Sequence, residues 1–355
     1  MFKYLWLTVL LAIACGACDA DQEDPFDDYQ TPKIDWPSLD PNRYHWDGLQ
    51  DPYYEGWFFR VVLPDEDRSF AFLYTVLNPG ALESADRQCA LVAVSSDGEV
   101  ARIDLPADEF HASKQRLDAR LGESASATTG ELTGEIGDGE QQVNWSMSYD
   151  VAERWVDTMG LLTNVPYLPV NWYVGALQGY ASGTIAWNDR EYTFANAKLF
   201  QDKNWGGLFP DAYVWLQGMN FSDPNDAVVF AGGPVSGAPS GMFAWRHGED
   251  FFTARSQDLN TIIKVTPEPE NGEVTVEIFQ DKNCFVLTGR FADLPPAVMP
   301  APSADGFDDY SRMSLTGELS VKRYELVEGQ WLLRDSAVSN PAGVELGGEY
   351  SEPAE

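Results

Sequence analysis

From residue 40 onward the apolar positions follow the period of strands rather than helices. Trp57-Phe58-Phe59-Arg60-Val61-Val62-Leu63 runs into Pro64-Asp65-Glu66-Asp67, a turn composition, and Ser69 to Leu77 follows, ending at Asn78-Pro79-Gly80. Two apolar runs around a short polar loop predict a hairpin. Ala90 to Val94, the turn Ser95-Ser96-Asp97-Gly98, and Val100 to Ile103 predict a second. The same grammar continues through Gly130–Ile136, Val143–Met147 and Thr184–Trp187, the last turning at Asn188-Asp189 into Tyr192–Phe194. Beyond these come Ala212–Phe221, Ala227–Ala231, Thr261–Val265, Val274–Phe279, Cys284–Leu287 and Gly317–Tyr324. Helical periodicity over three turns is scarce. Short strands punctuated by glycine and proline imply an all-β protein built of antiparallel barrels or sandwiches.

The chain divides into strand-rich halves at Gly160 to Pro169, a segment carrying Pro166 and Pro169. The expected domains are therefore residues 41–165 and 166–355, each barrel-like. Phe200-Gln201-Asp202-Lys203-Asn204 recurs letter for letter as Phe279-Gln280-Asp281-Lys282-Asn283. The interval is too short for a domain repeat, so both copies are read as strand-to-turn exits.

The first eighteen residues form a different segment. Lys3 precedes an apolar run, Leu5 to Ile13, that is too short for a spanning helix, and Ala14-Cys15-Gly16-Ala17-Cys18 follows. This resembles a lipoprotein signal, with Cys15 as the acylated cysteine and Cys18 as the alternative. Residues 19–40 are acidic and proline-bearing, the composition of a tether. The expectation is an exported protein, periplasmic or on the outer surface, anchored to a membrane by its lipid.

Composition narrows the function. With 23 Lys+Arg against 56 Asp+Glu the net charge is −33, which opposes binding to nucleic acid or to an anionic membrane surface. The 12 Trp, 15 Tyr and 19 Phe can line cavities as well as fill cores. The three histidines, His45, His111 and His247, stand apart from each other and from cysteine, so no metal-ligand spacing exists. Nor is there a nucleotide-binding motif, and no cofactor is expected. Cys89 and Cys284 could pair after export, or each could be a small buried hydrophobe.

The chemistry concentrates in two stretches, Tyr53 to Val61 and Asp202 to Pro210. Each sets an acidic side chain beside glycine and tryptophan at the edge of an aromatic segment. A carboxylic acid dried by aromatic rings has a raised pKa and can protonate an alkene. Glu55 and Asp202 are the candidate acids, and His45 a candidate acid or base. Each also has an ordinary role: a strand-end carboxylate, a partner for Lys203, a packed ring.

At these motifs the chain resembles the tocopherol cyclase family. Tyr54-Glu55-Gly56-Trp57-Phe58-Phe59-Arg60-Val61, followed by Asn78-Pro79, is similar to the family's YFEGWYFKV and NP; Tyr44-His45-Trp46-Asp47-Gly48 matches its Y-H-x-D-G. In the second half Ser182 to Trp187, Asp202 to Pro210 and Trp215-Leu216-Gln217 follow the family pattern, and Gly317-Glu318-Leu319 and Val344 to Gly348 its closing blocks. The chain departs by carrying Asp202 where the family has glutamate, and by Asn171 before Trp172 and Pro41-Asn42-Arg43 before Tyr44 where the family has histidines. Between about residues 95 and 165 no family motif is recognised by eye.

The resemblance implies a tandem lipocalin-like fold and an acid-initiated cyclisation: a prenylated hydroquinone is protonated at its alkene and the cation is captured by the phenol, giving a chromanol. It implies catalysis by Glu55, Asp202 and His45, and a hydrophobic, isoprenoid substrate held by Tyr54, Trp57, Lys203, Asn204, Trp205, Trp215 and Gln217. Ring faces would shield the cation, each by about 1–2 kcal/mol. The rival expectations are a lipocalin-like carrier without chemistry and a terpenoid or carotenoid hydratase, in which water captures the same cation.

Overall fold

The computed structural model describes residues 40–81, 88–123, 125–137, 141–165, 167–207, 209–235, 237–302 and 306–351. The expected signal with Cys15 and Cys18, and the acidic tether up to residue 39, lie outside the described residues.

Eleven strands make the first sheet: β1 (Tyr54–Leu63), β2 (Arg68–Leu77), β3 (Gln88–Ser95), β4 (Val100–Pro106), β5 (Phe110–Ala112), β6 (Asp118–Leu121), β7 (Ala125–Thr128), β8 (Glu131–Gly137), β9 (Gln142–Trp155), β10 (Val170–Trp187) and β11 (Arg190–Gly206). Ten make the second: β12 (Ala212–Gly218), β13 (Ala227–Val235), β14 (Ala238–His247), β15 (Asp250–Arg255), β16 (Thr261–Glu268), β17 (Glu273–Gln280), β18 (Asn283–Arg290), β19 (Ala297–Pro302), β20 (Phe307–Val327) and β21 (Gln330–Gly348). Both are antiparallel throughout and curl into nearly closed, barrel-like shells, so the all-β, tandem-barrel expectation holds.

Strand order in the first sheet is β4-β3-β2-β1-β11-β10-β9-β8-β7-β6-β5, and in the second β15-β14-β13-β12-β21-β20-β18-β17-β16, with β19 on β20. In each, the first strand pairs with the last. This corrects the expected boundary at residues 165/166. Strands β10 and β11 lie beyond it but hydrogen-bond to β9 and β1, so the passage between sheets is Gly207 to Asp211. Pro169 lies in a loop between the neighbouring strands β9 and β10, because proline records a missing ladder bond and not which sheet the chain enters next.

Each shell encloses its own core. Phe59, Val61, Phe72 and Trp145 pack inside the first, and Val214, Phe230, Trp245 and Phe285 inside the second. A third set joins the shells: Val62, Trp155, Trp172 and Phe200 from one meet Trp215, Met219 and Val229 of the other. A fourth brings Ala71, Val92 and Val94 against Met299, Met313 and Leu315. Strand β1 therefore has a core on both faces, which is why its sequence is an almost unbroken apolar run. Strand β9 alternates buried and exposed positions along most of its length, the pattern of a strand with one wet face.

Inside β11 the Phe200–Asn204 segment is strand interior, paired with β1 on one side and β10 on the other. Only its second copy, Phe279–Asn283, leaves a strand for a turn. The polar letters of the first copy find partners sideways, across the sheet and between shells, rather than in a turn. Cys89 and Cys284 are both buried and unpaired.

Candidate active site

Side chains on β1 and β11 alternate between two environments, and the register assigns them. Opposed pairs share a face, so Gly56 with Asn204 and Phe58 with Asp202 face one way, while Glu55 with Trp205 and Trp57 with Lys203 face the other.

On the second face, the interior of the first shell, Glu55 is fully buried. Its carboxylate forms an ion pair with Lys203 and accepts a hydrogen bond from the Tyr53 hydroxyl. The His45 backbone N–H donates to both of its oxygens, at 3.1 and 2.9 Å. Burial pushes the Glu55 carboxyl up, but the Lys203 ammonium leads the effects that outweigh it, and the group sits below the usual carboxylate range. Burial draws Lys203 down to about 8, against the pull of Glu55, leaving it charged at neutral pH. The ammonium lies 4.8 Å from the ring centroids of both Trp57 and Trp205.

Lys203 also reaches His45 Nδ1 at 2.7 Å, and the imidazole stacks on Trp205 at 4.0 Å between centroids. Burial and the Lys203 charge drive His45 down to about 4, so Nδ1 accepts as a neutral ring nitrogen. Around this cluster Asn42 and Gln201 exchange two amide hydrogen bonds, and Trp57 Nε1 donates to the Asn42 carbonyl at 2.8 Å. The arrangement clamps the segment from Asn42 to His45 onto the sheet.

The first face opens on a cavity between the two shells, about 1120 Å³ including its mouth. Tyr54, Gly56, Phe58, Leu73, Thr75, Trp172, Asp202 and Asn204 line it from the first sheet. Tyr213, Trp215, Gly232, Met242, Met299, Met313 and Glu345 line it from the second, with Phe209 and Pro210 from the passage between them. Its wall is apolar and aromatic with few polar groups, the character of a site for a greasy small molecule.

Asp202 is one of two carboxyls in this lining, with Glu345. The indoles of Trp172 and Trp215 donate to the same oxygen, Oδ2, at 3.0 and 2.9 Å. Among the described residues nothing bonds Oδ1. Burial pushes the carboxyl up to about 7, and the Glu345 charge adds to the rise while the two indoles oppose it. A neutral carboxylic acid fits this geometry, with Oδ2 as the carbonyl oxygen and the proton on Oδ1. Tyr54 adds a second open group: its hydroxyl is buried, lines the cavity and has no partner among the described residues. Burial raises its pKa, so it stays a neutral donor.

Of the residues singled out in the sequence, Asp202, Tyr54, Asn204 and Trp215 meet in the cavity. Glu55, His45, Trp57, Lys203 and Trp205 lie together behind the sheet, on the face away from it. Gln217 belongs to neither group. Its Oε1 accepts from the buried Arg60 guanidinium at 2.6 Å, which also donates to the Leu315 carbonyl at 2.7 Å, linking the shells. Sequence reasoning missed Phe58, Trp172, Tyr213 and Glu345. The period of two could have found Phe58, which shares a face with Gly56. Nothing local announces the others, which come from partner strands. Among the described residues no group of three His, Cys, Asp or Glu side chains converges as a metal site would require.

Comparison with known proteins agrees with this architecture. The tocopherol cyclase-like family model matches residues 51–135 and 120–348. The chloroplastic tocopherol cyclase of Zea mays is 24% identical over 372 residues, spanning 86% of this chain and 77% of the maize protein. A probable chloroplastic tocopherol cyclase of Oryza sativa subsp. japonica is 26% identical over 379 residues, with the same coverages of 86% and 77%. Among solved structures, a Nitrosomonas europaea protein given the provisional description AttH superposes with a TM-score of 0.50 at 11% identity, covering 86% of this chain and 94% of that one. CghA in complex with Sch210972 gives 0.51 at 11% identity, covering 85% and 90%. These two share the fold. The match to the family model over most of the described residues makes this chain a member of the tocopherol cyclase-like family.

Proposed function

We propose that the chain closes a ring on a prenylated hydroquinone, with Asp202 as the general acid. The observation that carries this reading is the state of Asp202: a dry carboxyl at about 7, both indoles on Oδ2, and Oδ1 unengaged at an apolar cavity. The family membership and the character of the lining support a hydrophobic, prenyl-bearing substrate.

In this scheme the Oδ1 proton adds to the less substituted carbon of the trisubstituted alkene, the π pair forming the new C–H bond. The tertiary cation left behind lies near the rings of Trp172, Trp215 and Phe58, whose faces stabilise it by about 1–2 kcal/mol each. A phenol oxygen lone pair then forms the C–O bond and the phenol proton leaves, so the reaction is an isomerisation. Tyr54 and Asn204 hold the quinol oxygens, a role suited to a hydroxyl without another partner and to an uncharged amide. Glu55, Lys203 and His45 serve the scaffold in this scheme. An ionised carboxylate neutralised by an ammonium on the far face has no proton to give to the cavity.

Incubation with a panel of prenyl-hydroquinones, followed by product analysis, tests the proposal. Asp202→Asn should lower chromanol formation at least 100-fold, the usual scale of general-acid contributions, while still retaining the ligand. Undiminished turnover by Asp202→Asn removes the residue from the mechanism. A wild-type protein that binds the quinol and returns it unchanged is a carrier.

A further inference from the structure

A second carboxyl stands in the same cavity. Glu345 on β21 is buried in the cavity lining and pairs directly across the strands with Trp215, whose indole is one of the two donors to Asp202. Trp215 therefore neighbours both carboxyls, one through its indole N–H and the other through its strand pairing. Tyr213 donates to Glu345 Oε1 at 2.6 Å, and Ser311 donates to the same oxygen. Among the described residues nothing bonds Oε2.

The fold constructs this arrangement deliberately in one respect. A Cβ on Gly347 would stand 1.9 Å from the Tyr213 ring, so only a glycine there lets the phenol lie across β21 and reach Glu345. The pattern mirrors Asp202, with two donors on one oxygen and the other oxygen left at the cavity.

We propose that Glu345 is the catalytic base of the ring closure: its Oε2 takes the phenol proton as the C–O bond forms. This deepens the reading of Asp202 as the acid and rests on it. Atoms balance without a co-reactant. Asp202 gives one proton to carbon, the phenol O–H electron pair stays on oxygen, and its proton passes to Glu345. Each turnover leaves Asp202 as a carboxylate and Glu345 as an acid, and both are reset by exchange through the mouth of the cavity.

Electrostatics favours the division of labour. Burial raises both carboxyls, and the charge on Glu345 is among the forces that keep the proton on Asp202. Two close carboxyls in a dry site titrate apart, giving one acid and one base. The hydroxyl donors on Oε1 oppose the rise at Glu345, in favour of its charged form.

The test separates the two half-reactions in deuterated water. Reversible protonation by Asp202 places deuterium on the alkene carbon of recovered substrate; cyclisation is read as chromanol. Glu345→Gln, which can still accept from Tyr213 and Ser311, should cut chromanol formation by about 100-fold or more while deuterium continues to enter recovered substrate. Glu345→Asp should recover part of the loss. Tyr213→Phe, which removes one donor from Oε1 and keeps the ring, should slow cyclisation several-fold with exchange unchanged, and it serves if the glutamine variant does not fold. Cyclisation by Glu345→Gln within about threefold of wild type, or loss of exchange together with cyclisation in the folded variant, overturns the assignment. Asp202→Asn should lose both signals. Exchange that survives in Asp202→Asn sinks the acid assignment instead, which keeps the two failures distinct.

Discussion

Glu55 and Asp202 are both buried carboxyls, three positions or fewer from a tryptophan, and their affinities for the proton move in opposite directions because of what stands beside them. Glu55 has an ammonium in contact and backbone and phenol donors around it; Asp202 has only two indoles and a neighbouring acid. The difference has a thermodynamic consequence. The Asp202 carboxyl titrates at about 7 in the folded protein against 3.8 as its ordinary value. Below 3.8 both folded and unfolded chains hold the proton. Between these limits the unfolded chain ionises and the folded one does not, so stability falls as pH rises and the loss is complete above about 7. The shift corresponds to something on the order of 4 kcal/mol. Asp202→Asn cannot ionise and can still accept both indole bonds. Its melting temperature should therefore exceed that of wild type by several degrees at pH 8, with the gap closing at pH 4, as followed by thermal unfolding monitored by circular dichroism. Equal melting at pH 8 would mean that the carboxyl is not held in a dry site.

At the level of elements, the decisive fact is that β1 and β11 present different chemistry on alternate positions. The residues numbered 54, 56 and 58 face the cavity and those numbered 55, 57 and 59 face the first shell's core. Gly56 keeps the cavity open where β1 crosses it. The nearest atom to a Cβ there would be a Leu73 methyl at 3.3 Å, a flexible neighbour that can yield. Gly56→Ala should thus leave turnover close to wild type. Gly56→Leu should fold, with an unchanged far-ultraviolet spectrum, but fill the space and lose quinol binding by at least tenfold in a fluorescence titration of the lining tryptophans. Full binding by the leucine variant would place the substrate elsewhere.

For the whole molecule, the cavity exists only while the two shells hold their mutual position. Arg255, at the end of β15, reaches into the first half to do this. Its guanidinium donates to the carbonyls of Thr158 and Asp157 at 2.9 and 2.7 Å, pairs with the Asp157 carboxylate at 2.8 Å and lies 5.3 Å from the centre of the Trp155 ring. Hydrogen bonds to a buried charge are worth more than exposed pairs. Arg255→Ala should lower stability by about 2–4 kcal/mol in urea unfolding. Glu153→Ala, which breaks the more exposed pair with Arg246, should change it by less than about 1 kcal/mol. Equal effects would show that the shells are held by their apolar faces alone.

The all-β class, the hairpins at Trp57–Leu77 and Ala90–Ile103, and the membership carried by the Glu55 and Asp202 motifs were legible in the chain itself. Strand alternation, turn residues and short motifs are local properties, and they survive being read one residue at a time. The boundary between shells was misread because β10 and β11 return to the first sheet, a matter of which strands pair at long range. The roles of Glu55 and Asp202 could not be separated by sequence, since both are acids beside tryptophan. Tertiary structure decided between them by putting Lys203 next to one and Trp172, Trp215 and Glu345 around the other. Composition fixes which groups are present; only folding fixes their distance and dryness, and those set where the proton resides.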